Sequence, residues 1–395
     1  MGRAVKQSNA LRREQLLAAA TALFEAHGYH TVSMGDIASA VGLTGPALYR
    51  HFGGKADILA QALVEQMDMV LAAVTAASSA DESADRRLDG LLDRLAALVL
   101  EREGRLLWKR ERRHLTAEAK AEFRARARAL NTATAALIGD VRPDASRPDL
   151  ELLASAVLWT YSHTQSYRGA MDRAAAVEVL AGMAHAVLSL RFDSGPGAVA
   201  NTPRGAVSSR RPIGRRERVL DAATELFSEQ GYHAVSMEQI AAHSTTALGT
   251  MYQYFDTKAD LLKAACLRGS EGLHYTTAHR LVAVADDAEA LRVLVELYVE
   301  LAFGLHGRLF AVISADIVYL SEAERETLLR SERQHIDEWI HALMSVRPEL
   351  DALGARARVR TAVGVISDIA QTRRFRSRPE IEADTRRIAT AILFA

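Results

Sequence analysis

The stretch SMGDIASAVGLTGPALYRHF, from Ser33 to Phe52, carries the signals of two short helices joined by a tight turn. Ser33 followed three residues later by Asp36 is a capping-box pattern, which marks the start of a helix. Gly42 allows a sharp turn because it has no Cβ atom. Thr44 can cap the next helix, since its hydroxyl can accept a hydrogen bond from a backbone N–H. Short helices joined by a glycine-containing turn predict a helix-turn-helix, a motif that places its second helix in the major groove of DNA.

The residues around this stretch complete a three-helix module. Apolar residues at three- and four-residue spacing predict an amphipathic helix over residues 13–26, and Gly28 ends it. The third helix is predicted to run over residues 45–51. We expect Leu48 and Phe52 to pack against the first two helices, which leaves the opposite face of the third helix exposed.

The same pattern occurs a second time, 203 residues further along the chain. Residues 13–62 and 216–265 align without a gap, and 23 of the 50 aligned positions are identical. A repeat of this period is about the size of a whole domain. Residues 141–143 match residues 346–348 at a separation of 205, and the last helices of the two halves return to a separation of 203. The chain is therefore predicted to contain two copies of one plan.

The remaining pattern predicts an all-α protein with a linker between its halves. No stretch shows sustained strand-like alternation, and 395 residues favour two or more domains. Residues 193–212 are rich in Gly, Pro and Ser and lack apolar periodicity, so they form the predicted linker. The predicted domains are a first DNA-binding module at 1–60, a first helical body at 61–192, the linker at 193–212, a second and divergent module at 213–263, and a second body at 264–395.

The composition excludes several classes of protein. Nothing in the sequence resembles a transmembrane run of about 20 apolar residues or a signal peptide. Cys266 is the single cysteine, so internal disulfides and multi-thiolate metal sites are excluded, and a cytoplasmic location is the default. A Gly-rich phosphate loop, a nucleophile elbow and a His-Glu-x-x-His run are all missing. We therefore expect no enzyme activity, no cofactor, no metal site and no membrane partner.

The charge distribution leaves two interpretations open. The formal net charge is zero, so no global basic field points to nucleic acid. Basic residues nevertheless outnumber acidic ones by six to four in residues 1–60 and by six to two in residues 193–220. The segments ahead of the two modules are either arms that contact DNA or simply solvated chain.

The segments SMGDIASAVGLTGPALYRHFGGKADIL and SMEQIAAHSTTALGTMYQYFDTKADLL resemble the DNA-binding signature of TetR-type repressors. The bodies resemble the family only in length and helical character. The resemblance implies that each half has a three-helix DNA-binding domain and a helical ligand-binding and dimerisation domain, whose last two helices form a four-helix interface. It also implies a transcriptional regulator, usually a repressor, that a small and often lipophilic effector releases from double-stranded operator DNA.

Carried onto this chain, the resemblance implies two sets of DNA-contacting positions in each module. In the first module the phosphate-contacting residues are Ser33, Thr44, Tyr49, His51 and Lys55, and those that approach bases are Gly45, Ala47 and Arg50. The equivalent residues of the second module are Ser236, Ala247, Tyr252, Tyr254 and Lys258, and then Leu248, Thr250 and Gln253. Arg50 is suited to a guanine edge, whereas Gln253 favours adenine.

The second module departs from the first at the turn and at the helix cap. Thr245 replaces Gly42, and Ala247 replaces Thr44. The lost cap is expected to cost about 0.5–2 kcal/mol of local helix stability, unless Thr246 caps the helix one residue earlier. Either the second module binds DNA with a changed base preference, or it is a structural or ligand-sensing half.

If both modules bind DNA, one chain can act as a covalent pseudo-dimer that prefers an asymmetric operator. We expect the halves to pair through residues 151–168 and 174–190 and their counterparts 355–371 and 380–394. A linker of about 20 residues reaches roughly 65 Å, whereas a body helix is about 30 Å long. A homodimer of chains, and a protein-interaction adaptor that no longer binds DNA, are the alternatives.

Aromatic and polar residues in the bodies are candidates for the effector pocket, because ligand sites between helices are mostly apolar with a few polar groups. The candidates are Trp108, Trp159, Tyr161, His163, Gln165 and Tyr167 in the first half, and Phe303, Phe310 and Trp339 in the second. Core packing is the alternative for each of them. The run from Trp159 to Tyr167 fits either a pocket or an interface.

Overall fold

The computed structural model describes residues 2–101, 111–164, 169–192, 213–304 and 306–395, with side chains described from residue 12. These residues form helices and connecting turns without a β-strand, which confirms the predicted all-α fold. The predicted linker at 193–212 lies outside the described residues, as do Trp108, Gln165 and Tyr167.

The eight described helices of the first half have counterparts in the same order in the second half, which has two further helices, His306–Asp316 and Arg373–Arg376, among its described residues. Those of the first half are α1 (Gly2–His27), α2 (Met34–Ala40), α3 (Gly45–Leu48), α4 (Lys55–Ser78), α5 (Ala84–Glu101), α6 (Ala117–Val141), α7 (Arg147–Ser162) and α8 (Arg173–Leu188). Those of the second half are α9 (Arg215–Gln230), α10 (Met237–His243), α11 (Leu248–Tyr252), α12 (Lys258–Leu281), α13 (Asp287–Phe303), α14 (His306–Asp316), α15 (Glu322–Val346), α16 (Ala352–Gln371), α17 (Arg373–Arg376) and α18 (Ile381–Leu393).

The chain divides into two compact units, and each contains one three-helix module. The first unit comprises the described residues within 1–76 and 102–133, and the second comprises 77–101 with the described residues of 134–395. The predicted module boundaries at 60 and 263 fall inside α4 and α12, each of which runs through its boundary without a break.

In the first unit, α1, α2 and α3 pack around a small apolar core. Phe24 of α1, Ile37 of α2 and Leu48 of α3 are fully buried, and Phe52 is 2% exposed. Gly28 ends this part of the module with a φ of 81°, as the pattern predicts. Each of these side chains stabilises the folded state by about 1.5–3 kcal/mol when it is removed from water. The helices therefore pack at the angle that buries all of them.

In the second unit, the equivalent module is built on the same plan. Phe227, Ile240 and Met251 are fully buried, and Phe255 is 4% exposed. Cys266 belongs to the same apolar cluster, and burial raises the pKa of its thiol to about 12. The thiol therefore packs as an apolar side chain and remains protonated at neutral pH.

Helices α7, α8, α16 and α18, all in the second unit, pack together as two helix pairs. α7 packs on α8 and α16 packs on α18, and each pair packs on the other through α7 with α16 and α8 with α18. The facing positions are apolar, including Leu152, Val157, Leu180, Ile366 and Ile388, all at most 1% exposed.

The burial pattern corrects one detail of the repeat. Ala176, Leu180 and Val187 are buried on α8, and Ile381, Thr385 and Ile392 are buried at positions 205 residues further along on α18. The predicted return to a separation of 203 in the last helices is therefore wrong, because the equivalent buried faces keep the separation of 205.

By length and composition, α4 is apolar enough to cross a membrane, and 44% of its most apolar window is buried in the protein. The sequence analysis did not predict a possible span here, because Asp57, Glu65 and Asp68 interrupt the apolar run of this helix. α13 together with residues 306–319 passes the same test only as a pair bent by 86°. Core helices have the same composition, and α4 begins within the core of the first module.

Candidate nucleic-acid interface

Both modules begin their second helix with a complete capping box. The hydroxyl of Ser33 accepts a hydrogen bond from the N–H of Asp36 at 3.1 Å, and the Asp36 carboxylate accepts from the N–H of Ser33 at 2.8 Å. Ser236 and Gln239 make the same exchange at 3.2 and 2.7 Å. Hydrogen bonds from Ser33 also hold the pKa of Asp36 below its ordinary value. The serines predicted to contact phosphate therefore define helix starts.

The turn after the second helix has the same conformation in both modules. Gly42 has a φ of 67°, and Thr245 has a φ of 50°, the one positive φ of a non-glycine residue in the described chain. The N–H of each residue bonds to the carbonyl three positions earlier, at 3.1 and 3.2 Å. A β-branched residue in the left-handed region is strained by about 1–2 kcal/mol. The second module has lost the glycine but keeps the turn.

The third helix begins where the pattern predicts but without the predicted cap. Thr44 is the N-cap of α3, and its side chain makes no cap hydrogen bond. Ala247 occupies the same place before α11, and Thr246 bonds to the carbonyl of Ser244 at 3.3 Å instead of capping the helix. The expected loss of a cap in the second module is therefore wrong, because the first module has none there.

The third helices are shorter than predicted. α3 ends at Leu48, and the chain continues to Phe52 as tight turns, in which the N–H of Arg50 bonds to the carbonyl of Ala47 at 3.3 Å. Pro46 is tolerated in the first turn of α3 because the N–H that it lacks has no partner within the helix there. Arg50 lies just beyond the helix end.

The side chains predicted to meet DNA are mostly at the surface. Tyr49 is 58% exposed and Arg50 is exposed, while Tyr252 and Tyr254 are 43% and 41% exposed and Gln253 is exposed. Half-buried positions are Gly45, Ala47 and His51 in the first module and Leu248 and Thr250 in the second. In each module Leu48 or Met251 anchors the helix from the opposite side with no exposed surface.

The two lysines predicted to bind phosphate donate to backbone carbonyls of their own modules in this structure. The ammonium of Lys55 donates to the carbonyl oxygens of Tyr29 and Val32, both at 2.8 Å, and lies 4.5 Å from the centre of the Tyr29 ring. Lys258 donates to Val235 at 2.9 Å and lies 4.5 Å from the ring of Tyr232. Burial lowers the pKa of both lysines. Each holds the segment between the first and second helices in place.

Two further contacts of the modules were missed by sequence reasoning. The guanidinium of Arg13 lies 5.4 Å from the ring centre of Phe52, and that of Arg216 lies 5.0 Å from the ring centre of Phe255. Each contact joins the first helix of a module to the end of its third helix. Arginine and phenylalanine occur at both equivalent positions of the repeat, and that repetition was the available signal.

In each unit, a tyrosine of the three-helix module stacks on an aromatic ring from outside the module. The Tyr29 ring stacks on His114 at 5.3 Å, and the Tyr232 ring stacks on Tyr319 at 5.8 Å. Glu111, close to His114, is fully buried. These residues lie far from the modules in sequence, so the pattern of the repeat could not place them.

The candidate effector residues lie in two kinds of surroundings. Trp159 and His163 contact Phe375 and Asp368 of the second half, so their contacts are those of an interface. Tyr161 is 2% exposed and lies in the core.

The candidates of the second half surround a buried aromatic and polar cluster. Trp339 is fully buried and donates from Nε1 to His335 Nε2 at 3.1 Å. Phe310 stacks on Tyr298 at 5.1 Å, and Phe303 is half-buried at the end of α13.

The geometry defines a protein with two helix-turn-helix modules on one chain. A family model described as bacterial regulatory proteins of the tetR family matches twice, at residues 16–62 and 219–265. The chain is 40% identical over 83 residues to the HTH-type transcriptional repressor KstR of Rhodococcus jostii (strain RHA1), over 21% of this chain and 39% of the relative. It is 25% identical over 162 residues to the HTH-type transcriptional regulator UidR of Escherichia coli (strain K12), over 39% of this chain and 81% of the relative.

A crystal structure of a TetR-family transcriptional regulator from Bordetella parapertussis 12822 aligns with a TM-score of 0.42 and 20% identity, over 46% of this chain and 95% of that chain. The chain spans two fifths or less of the length of several curated relatives that it matches. The chain therefore carries, twice, a segment that matches the model of the TetR family, and both matches fall on the helix-turn-helix modules.

Proposed function

We propose that this chain is a transcriptional regulator that binds operator DNA in the major groove through the exposed faces of α3 and α11. The observation that carries the proposal is the duplicated module, in which a buried residue anchors the third helix and Arg50 or Gln253 points away from the core at its end. Long side chains with several donors at this place suit base edges, and the neighbouring tyrosine hydroxyls suit phosphates.

Both modules bind DNA in this proposal. The second module keeps the capping box, the turn and the exposed positions of the first, although Thr245 must hold the turn in a strained conformation. A strained turn is expected to persist where DNA binding depends on the geometry of the recognition helix that follows it. Because Arg50 favours guanine and Gln253 favours adenine, the two modules read different half-sites.

The halves act as a single-chain pseudo-dimer. Support comes from the packing of α7 and α8 on α16 and α18, which lie at equivalent places in the two halves. A homodimer with a two-fold axis reads a palindrome, whereas unlike halves favour an asymmetric operator.

The regulator is proposed to be a cytoplasmic repressor that releases DNA when a small lipophilic effector binds a body. The relative KstR is named a repressor. The cluster of Trp339, Tyr298, Phe310 and His335 combines large apolar surfaces with a few polar atoms, as ligand sites between helices do.

The test is an unbiased operator selection with the whole chain, followed by binding measurements with Arg50→Ala and Gln253→Ala. Each variant is expected to weaken operator binding by about 1–3 kcal/mol and to relax the base preference of its own half-site. Arg124→Ala, an exposed arginine of α6, is the matched control and leaves binding unchanged.

The outcome distinguishes the alternatives. If only Arg50→Ala weakens operator binding, the second module is a structural or ligand-sensing half. Unchanged affinity with both variants contradicts the major-groove assignment and favours a protein-interaction adaptor.

A further inference from the structure

The two halves meet at a pair of equivalent residues. α7 follows its N-cap Ser146 and α16 follows its N-cap Asp351, 205 residues apart, so His163 and Asp368 occupy the same position in the two halves. The Nε2 atom of His163 lies 2.9 Å from Oδ2 of Asp368. In a two-fold arrangement, a residue that contacts its own counterpart lies on the axis. The pseudo-two-fold axis therefore passes between an imidazole and a carboxylate.

The His163 ring fits because the opposite helix has no side chain there. A Cβ atom added to Gly364 would lie 2.0 Å from Cε1 of His163. The counterpart of Gly364 in the first half is Trp159, which packs edge-to-face on Phe375 with ring centres 6.0 Å apart. If two first halves paired, an indole would occupy the space that the imidazole requires. If two second halves paired, two Asp368 carboxylates, only 15% exposed, would face each other.

A buried charge cluster lies on one side of this axis. Arg378 of the second half donates to Asp149 of the first half and to Asp384 of its own half, both at 2.5 Å. The two carboxylates are 6% and 3% exposed. Burial raises the pKa of Asp384, so this carboxylate depends on the guanidinium to remain charged.

The other side of the axis lacks this cluster. At the separation of 205, the counterparts of Arg378, Asp149 and Asp384 are Arg173, Gly354 and Val179. Arg173 instead bonds to Glu101 at 2.5 Å. Pairing of two second halves would place each Arg378 opposite a glycine and leave its buried charge without the carboxylate of the partner half.

We propose that the surface of α7 and α8 is built to fit the surface of α16 and α18 and rejects a second copy of itself. Unlike pairing unites His163 with Asp368, seats the imidazole on Gly364 and gives Arg378 the carboxylate of Asp149. Pairing of two first halves creates a steric clash, and pairing of two second halves brings two Asp368 carboxylates together. The partner of each half is therefore an unlike half, which in this structure is the other half of the same chain. The inference rests on the proposed pairing of the halves but not on DNA binding.

The first test introduces a protease site into the linker of the full chain, between residues 193 and 212, and cuts the folded protein. Native mass spectrometry of the cut protein, before and after incubation at low micromolar concentration, is expected to show one-to-one complexes of unlike halves at both times. Complexes of two first halves or of two second halves would overturn the proposal, as would separation into free halves.

The second test probes the axis itself in the intact chain. Gly364→Ala is expected to lower the Tm by about 2–10 °C, since overpacking a core contact is destabilising. The same substitution in a His163→Ala background should leave the Tm within about 1 °C of that background, because the clashing ring is gone. Gly182→Ala on α8, where an added Cβ meets nothing within 4 Å, is the matched control.

If Gly364→Ala lowered the Tm equally in the unmodified chain and in the His163→Ala variant, the assignment of His163 and Gly364 as specificity determinants would be overturned. Neither test involves DNA. If the two pairing tests failed while operator binding remained intact, only this inference would be rejected. If operator selectivity were lost while the unlike halves still paired, only the proposed function would be rejected.

Discussion

Lys55, Thr44 and Thr245 show that a side chain's position in the repeat does not by itself fix its role. Lys55 sits where a phosphate contact is predicted, yet its ammonium binds the carbonyls of Tyr29 and Val32. Thr44 sits at an N-cap but makes no cap bond. Thr245 takes a conformation that normally requires glycine. The carbonyls that bind Lys55 lie 26 and 23 residues away in sequence, so the pattern of the repeat does not reveal them.

The strained turn gives a prediction for stability. Thr245→Gly is expected to raise the free energy of unfolding by about 0.5–1 kcal/mol, because relief of the left-handed strain exceeds the entropy that glycine adds to the unfolded chain. Gly42→Thr, the mirror substitution in the first module, should lower it by about 1–2 kcal/mol. Urea unfolding measures both changes. A destabilising Thr245→Gly would show that Thr245 contributes more through its own contacts than it loses through strain.

The two cap positions of the first module should respond differently. Ser33→Ala is expected to cost about 1 kcal/mol, since Ser33 accepts the N–H of Asp36 and caps α2. Thr44→Ala should cost less than about 0.5 kcal/mol, because no cap bond is lost. Thermal unfolding of the two variants compares them directly. Equal losses would mean that the Thr44 hydroxyl caps α3 in solution.

A buried histidine in the second body makes stability depend on pH. Burial lowers the pKa of His335 from 6.5 to about 4, so the unfolded chain binds this proton more readily than the folded chain. The stability contribution is therefore complete well above pH 6.5 and is lost as the pH falls toward 4, with a total loss of about 2 kcal/mol by pH 5.

The comparison variant is His335→Gln, which should remove this part of the pH dependence. His341→Gln, an exposed histidine on the same helix, is the control and should keep it. Urea unfolding between pH 5 and 7.5 gives the slopes. A His335→Gln slope as steep as that of the unmodified chain would assign the acid sensitivity to other groups.

At the scale of helices, the local signals located starts better than ends. The capping boxes at Ser33 and Ser236 and the glycine stop at Gly28 are where the pattern predicts them. The residues that make up each of these signals lie within four positions of one another, so the signals can be recognised from the sequence. The burial of Glu111, in contrast, depends on partners distant in sequence and was not predictable in this way.

The candidate site shows the same division. Exposure of Arg50, Tyr49 and Gln253 was predictable from the spacing of the apolar residues beside them, although all three lie just past the helix ends. The contact between Arg13 and Phe52, and the position of Trp159 and His163 at the interface of the halves, follow from packing between separate helices. Only the fold supplies that information.

The recognition helices give a prediction about base preference. Gln253→Arg, at the residue just after α11, is expected to change the preferred base of one half-site from adenine to guanine, because arginine binds the O6 and N7 acceptors of guanine. The half-site of α3 should stay unchanged, which serves as the internal control. Operator selection with the variant reads both half-sites at once. A change in both half-sites, or in neither, would contradict independent reading by the two helices.

At the scale of the whole molecule, the two halves share a plan but not their chemistry. The modules differ at Arg50 and Gln253, and the bodies differ at the axis through His163 and Asp368. The repeat predicted two domains of one kind, and comparison of equivalent positions shows where each departs. An asymmetric regulator in one chain accounts for both sets of differences.

The most direct test of this account is the stoichiometry of the complex with the selected operator. Native mass spectrometry or analytical ultracentrifugation, combined with footprinting, counts the chains on one DNA site and maps the half-sites. We predict one chain on an operator with two unlike half-sites, both protected. Two chains on a perfect palindrome, with four engaged modules or with only the first module of each chain in contact, would contradict the single-chain asymmetric account.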